Sequence, residues 1–345
     1  MNSKLNTIAL AIALSCISSS SFAAYEFEIN DDNKITFGGY IKVDARYVDG
    51  DVAYQDNWKG GATGLDEDAS QFKIFANETR LNTKYEHGDV TGFIEMDLFG
   101  GSGNEIVSNS YNPRVRHAYI SYKNILAGQT WTTFMNPSAI AETADFGSTL
   151  MGISFARQGQ IRYTNGGFQF SLENPESFGG DTANDSVPDV IAKYTFKGDW
   201  GNVSFSALGR QLNTLEGNTE TTIGGGFAGK VNTFGKDDLR FQFHTGELGR
   251  YVGTAAVKDL VGEEAEESTA YNMAYRHFWT NTMRSTFIYG YIKGDKSDTE
   301  ISQWAINLFE NLTPELSVGF EVGNYELKHD DKNSFYGQFS MKYAI

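Results

Sequence analysis

Ser334-Phe335-Tyr336-Gly337-Gln338-Phe339-Ser340-Met341-Lys342-Tyr343-Ala344-Ile345 keeps a period of two to its last residue. Phe335, Gly337, Phe339, Met341, Tyr343 and Ile345 share one face, and Ser334, Tyr336, Gln338, Ser340, Lys342 and Ala344 share the other. Side chains alternate across a strand, so the pattern predicts a β-strand with one apolar and one polar face. Such a strand fits the closing stave of a β-barrel, where pairing with the first strand removes both sheet edges. A soluble sandwich also tolerates an amphipathic last strand, so the rest of the chain has to decide.

Residues 1–23 read as a secretory signal. Lys4 supplies the positive start, Ile8 to Ile17 a short apolar stretch, and Ser21-Phe22-Ala23 a small-x-small cleavage site. The apolar stretch is too short to span a bilayer as a helix. Cys16 follows Ala13-Leu14-Ser15, which fits a lipobox poorly. Cleavage after Ala23 leaves no cysteine, so neither disulfides nor thiol chemistry are expected. Mean hydropathy is negative, as it is for a wall that needs apolar residues only at every second position. Aromatic residues at 14%, 37 glycines and only 5 prolines suit many strands joined by tight turns. The formal net charge of −16 argues against a nucleic-acid partner.

Alternating segments predict sixteen strands, near 34–48, 72–85, 90–99, 114–122, 125–132, 157–164, 168–173, 189–196, 202–211, 221–232, 239–246, 269–279, 284–292, 300–309, 315–326 and 334–345. Connections alternate between short, such as the hairpin signal Asn165-Gly166-Gly167, and long, such as 49–71, 100–113, 133–156, 174–188 and 247–268. In the first strand Ile35, Phe37, Gly39, Ile41, Val43, Ala45 and Tyr47 oppose Lys42, Asp44 and Arg46. Facing Arg or Lys to lipid at mid-depth costs about 2–4 kcal/mol, so the charged face is the interior. The fold class is therefore an all-β, 16-stranded antiparallel transmembrane β-barrel, a single domain over 24–345, with a water-filled lumen.

The most distinctive block is Leu126-Ala127-Gly128-Gln129-Thr130-Trp131-Thr132-Thr133-Phe134, preceded by Arg114-Val115-Arg116-His117-Ala118-Tyr119 and followed after a long loop by Arg157-Gln158-Gly159-Gln160-Ile161-Arg162-Tyr163. These residues resemble the DcaP-like porins of Gram-negative outer membranes, most strongly over 114–164. The resemblance implies an outer-membrane diffusion porin and a homotrimer. It also implies a preference for small anions such as dicarboxylates, and an inward constriction loop over 133–156. Two departures limit it. No periplasmic stalk is predicted before the first strand, and the chain ends in Ile rather than the commoner Phe. Both termini are expected in the periplasm.

Arg46, Arg80, Arg114, Arg116 and Arg162 come from neighbouring predicted strands, with Arg157 where the long loop returns to the wall. Guanidinium groups stay charged and match carboxylates, so these six are the candidate anion-selective lining. Glu142 and Asp145 of the loop would face them and set up a transverse field. Arg210, Arg240 and Arg276 form a second basic track or pair locally. Glu78, Glu95 and Asp97 are ready partners, and simple pairing across strands is the competing reading. Arg157 and Arg162 are five apart and cannot share a face of a regular strand, so Arg157 is expected on the loop or at a bulge. The acidic runs 66–68 and 263–267 read as solvated external loops, with divalent bridges to lipopolysaccharide as the sharper alternative.

The five histidines show no metal-ligand spacing. Gly152-Ile153-Ser154-Phe155-Ala156 lacks the last glycine of a nucleophile elbow. No enzyme activity and no cofactor are expected. The rival readings are an adhesin or receptor acting through the long loops, a barrel hydrolase, and a soluble secreted β-protein.

Overall fold

A computed structural model describes residues 24–30, 32–101, 104–146 and 151–345; the expected leader, 1–23, lies outside them. The strands are β1 Tyr25–Asn30, β2 Asn33–Val52, β3 Gly64–Phe75, β4 Arg80–His87, β5 Val90–Asp97, β6 Arg114–Tyr122, β7 Ile125–Trp131, β8 Arg157–Asn165, β9 Phe168–Glu173 and β10 Asp189–Gly198. They continue as β11 Gly201–Asn213, β12 Thr219–Asn232, β13 Asp238–Gly246, β14 Leu260–Val261, β15 Glu264–Ala265, β16 Ser268–Phe278, β17 Met283–Gly294, β18 Glu300–Asn311, β19 Leu316–Leu327 and β20 Lys332–Ala344.

Every pairing between neighbours is antiparallel, and β2 pairs with β20 from Tyr40↔Ala344 to Gly50↔Ser334, which closes the sheet. Twenty strands make sixteen staves. β3 and β4 both pair with β2 and form one broken stave, β14 and β15 form a small hairpin within a loop, and β1 lies outside the count. β1 pairs with the first residues of β2, Tyr25↔Phe37 to Glu28↔Lys34, just beyond the point where β20 stops. It thereby covers the stretch of β2 edge that β20 does not reach.

The faces fall as the alternation requires. Ile41, Val43 and Tyr47 are exposed on the outer wall, while Lys42, Asp44 and Arg46 are buried inside. The wall is uneven: β5 to β9 have 6 to 9 residues, β11 and β12 have 13 and 14. Residues 64–71, expected in a loop, are strand. Asp66, Glu67 and Asp68 are exposed there, so this end of β3 has no apolar face for a period to reveal.

The interior is less watery than the strand pattern implies. Trp58, Phe134, Met135, Phe146, Met151, Ile153, Tyr251 and Val252 come from three long connections. They pack with inward wall residues such as Val48, Ile191, Leu208, Ile292 and Tyr325 into one buried apolar cluster. Leu248, Tyr251, Val252 and Val257 of the connection 247–267, expected outside, are among those folded inward, while Gly262, Glu264 and Glu267 are exposed.

Candidate functional site

β4, β6 and β8 carry a basic wall. Glu95 pairs with His117 and Met96 with Val115, which leaves Arg116 as an extra residue in β6. This bulge lets Arg114, Arg116 and His117 all reach acceptors inside the barrel. Arg114 grips Asp97 with two bonds, Nε to Oδ1 at 3.0 Å and Nη2 to Oδ2 at 2.7 Å. Arg116 donates to Glu95 at 2.8 Å and to Asp97 at 3.1 Å. Arg80 lies 3.4 Å from Glu78, which Lys42 also holds. The partners expected from the sequence are thus real partners.

Two arginines are different. Arg157 opens β8 opposite Trp131, in regular register and without a bulge. Its guanidinium lies over the Trp131 ring, 4.9 Å from the centroid, and among the described residues its buried Nη1 has no hydrogen-bond partner. Arg162 donates to the neutral acceptors Gln160 Oε1, at 2.8 Å, and Trp131 O. Among the described residues neither has a carboxylate within ion-pair distance.

Aromatic rings run between these charges. Phe99 meets Phe146, Phe146 meets Phe155, Phe155 meets Trp131 and Trp131 meets His117, with centroids 4.7 to 5.8 Å apart. The guanidiniums of Arg80, Arg114 and Arg116 surround the Phe146 ring at 5.4 to 5.9 Å. Stacking on rings keeps the arginines in place without consuming their charge.

Cations around the rest of the wall hold the connection between β7 and β8. Lys193 donates to Met135 O at 2.6 Å, Arg240 to Ile140 O and Lys42 to Ala144 O at 2.8 Å. Arg284 holds Glu142 with two 2.6 Å bonds, and Arg46 lies 3.2 Å from Asp145. Glu321 accepts the backbone N–H of Ala144 and Asp145, at 2.9 and 3.2 Å. Residues 133–146 are therefore tied in turn to β10, β13, β17, β19 and β2, along the inside of the barrel. The sequence reading missed Lys193, Arg284 and Glu321. Their parity on the inward face was the available signal.

Of the expected sites, Arg80, Arg114, Arg116 and Arg157 stand together, and Arg162 lies on the other side of Trp131's backbone toward Gln160 and Glu173. Arg46 belongs with the loop anchors, sandwiched between Trp58 and Tyr336 at 5.1 and 4.6 Å. Glu142 and Asp145 face Arg284 and Arg46 rather than the basic wall. Arg240 and Arg276 both pair with Asp238, and Arg210 pairs with Asp189 and Asp259. Among the described residues no three His, Cys, Asp or Glu side chains cluster to hold a metal.

The sequence matches the model of the DcaP outer membrane protein family over residues 3–247. The fold resembles the crystal structure of the outer membrane channel DcaP of Acinetobacter baumannii, with TM-score 0.80, 23% identity, 92% of this chain and 99% of that one. It also resembles an anion-selective porin from Comamonas acidovorans, with TM-score 0.60, 12% identity, 91% of this chain and 100% of that one. A third likeness is OmpF of Salmonella typhi in complex with daunomycin, with TM-score 0.61, 14% identity, 93% of this chain and 100% of that one. No curated protein matches the sequence. The chain belongs to the DcaP outer membrane protein family: it is an integral outer-membrane β-barrel channel and not an enzyme.

Proposed function

We propose that, as a member of this family, the chain is a diffusion porin that favours small anions, carboxylates and dicarboxylates among them. The observation that carries this reading is Arg157, whose guanidinium lies over Trp131 with no carboxylate in ion-pair distance among the described residues, beside a wall already holding Arg80, Arg114 and Arg116. Arg80, Arg114, Arg116 and Arg157 there meet three carboxylates, Glu78, Glu95 and Asp97, while Lys42 is shared between Glu78 and Asp44 and Arg162 has Glu173 as a charged neighbour. Such an excess raises anion concentration locally, while weak binding lets the ion leave again. The connection 133–156 serves as the constriction loop, a reading supported by the ties of 133–146 to the inner wall.

Both termini on the short-turn side, in the periplasm, and a homotrimer complete the proposal. The expected leader, 1–23, is removed on export. The acidic stretch 66–68 stands in water at the long-loop end, where lipopolysaccharide is its neighbour. The test is the reversal potential of single channels in a KCl gradient, for wild type and for Arg80→Ala, Arg116→Ala, Arg157→Ala and Arg162→Ala. Chloride preference that falls in the variants supports the reading. Potassium preference in the wild type refutes the anion assignment and leaves the channel.

A further inference from the structure

The connection between β13 and β16, residues 247–267, is a second inward element with an ionic anchor. Arg210 of β11 is buried between Asp189 of β10 and Asp259 of the connection, with Nε 3.2 Å from Asp189 Oδ2 and Nη2 3.0 Å from Asp259 Oδ2. Asp259 also accepts the backbone N–H of Phe178 at 2.9 Å and of Arg250 at 3.1 Å. The Tyr251 hydroxyl and Arg250 each donate to Asp189 at 2.8 Å. Gly249, at φ +42°, brings the backbone so close that a Cβ there would lie 1.8 Å from Asp259 Oδ1. The turn is thus shaped around that carboxylate.

From this anchor the connection reaches across the mouth to the other inward loop. Ser154 and Val252 form an antiparallel bridge, and Gly253 N–H donates to Ile153 O at 2.9 Å. Leu248, Tyr251, Val252 and Val257 are buried against the apolar cluster. A connection of this length has much conformational freedom to lose, so it stays inward only while specific contacts offset that entropy. Asp259 is the contact whose loss most weakens the anchor: without it Arg210 keeps only Asp189 as an ionic partner, and the backbone N–H groups of Phe178 and Arg250 lose their charged acceptor.

We propose that residues 247–267 form a second narrowing element of the solute path, and that Arg210 and Asp259 are positioning residues that hold it in the mouth. The proposal rests on the channel reading. Freed of the anchor, the connection swings into water and the mouth widens.

The experiment uses full-length refolded protein in planar bilayers and in liposome swelling with neutral sugars of graded size. Asp259→Asn raises single-channel conductance roughly 1.5-fold or more and admits larger sugars, since flux follows the narrowest cross-section. Adding Ser154→Cys and Val252→Cys supplies a reversal. The bonding around this bridge marks a non-hydrogen-bonded pair, about 4.5 Å between Cα atoms, which suits a disulfide. The sequence has one other cysteine, Cys16, in the expected leader. Oxidation returns conductance and size limit to wild-type values, and reduction releases them. Asp259→Asn channels identical to wild type, or a rise that oxidation leaves unchanged, overturn the proposal. If Asp259→Asn does not fold, deleting 250–257 replaces it, and an unchanged conductance is again fatal. Folded wild-type protein without conductance refutes the channel reading itself, a result distinct from all of these.

Discussion

Replacing Arg157 with alanine removes one positive charge from a wall where Arg80, Arg114, Arg116 and Arg157 face three carboxylates, taking the local excess from one to zero. An ion passing at about 6 Å interacts with a unit charge by roughly 0.7 kcal/mol at the dielectric constant of water. At about 0.15 M salt the Debye length is near 8 Å, and screening cuts that to roughly 0.3 kcal/mol. Chloride occupancy then falls about 1.7-fold and potassium occupancy rises by the same factor. The permeability ratio changes about threefold. If the wild type prefers chloride threefold, a tenfold KCl gradient loses about 20 mV of reversal potential, and near 1 M salt the effect fades to roughly 1.4-fold. Single-channel recording at the two salt levels measures both. A change at high salt as large as at low salt would show that Arg157→Ala acts by reshaping the pore. No change at either level would refute the assignment of free charge to this arginine.

Three further outcomes follow from particular contacts. Glu142→Gln weakens the two bonds to Arg284 and should destabilise the loop by about 2–3 kcal/mol while the barrel still folds. Noisier current with unchanged heat-modifiable mobility on gels checks this. Val43→Arg, on the outer face, should cost about 2–4 kcal/mol in denaturant titration from lipid bilayers; a neutral result would mean that this face does not meet lipid. Deleting 25–30 exposes the lower edge of β2 and should slow assembly and increase aggregation, read from refolding yield over time.

The staves were legible because a lipid-facing wall enforces period two, and their number and order stand as read. Parity also placed the arginines of β4 and β6 inside. Pairing was less legible. Arg210 finds Asp259 across 49 positions in an irregular connection, and no period marks such a partner. The bulge at Arg116 adds a residue without any sequence sign. The apolar residues of the long connections, Trp58, Phe134, Met151 and Tyr251 among them, follow neither the strand nor the helix period. Their burial inside the barrel emerges only when the loops meet one another. For the same reason the sequence reading made the lumen more open than the packing allows.

The two sides of the lumen use the same residue type for different ends, and this explains how an acidic chain can present a basic wall. Exposed acids such as Asp66, Glu67 and Asp68 are screened in water and contribute little to the field inside. On the far wall Lys193, Arg240 and Arg284 are committed to the loop, either to its backbone carbonyls or to Glu142. Removing one of them leaves a buried acceptor unpaired, so it should alter the shape of the pore before it alters its charge preference. On the β4–β8 wall, rings of Phe146 and Trp131 support the guanidiniums, and removing Arg157 strands no buried acceptor among the described residues. Its loss should alter charge preference before shape. Conductance and selectivity are thus expected to vary independently, each with substitutions on its own side of the barrel.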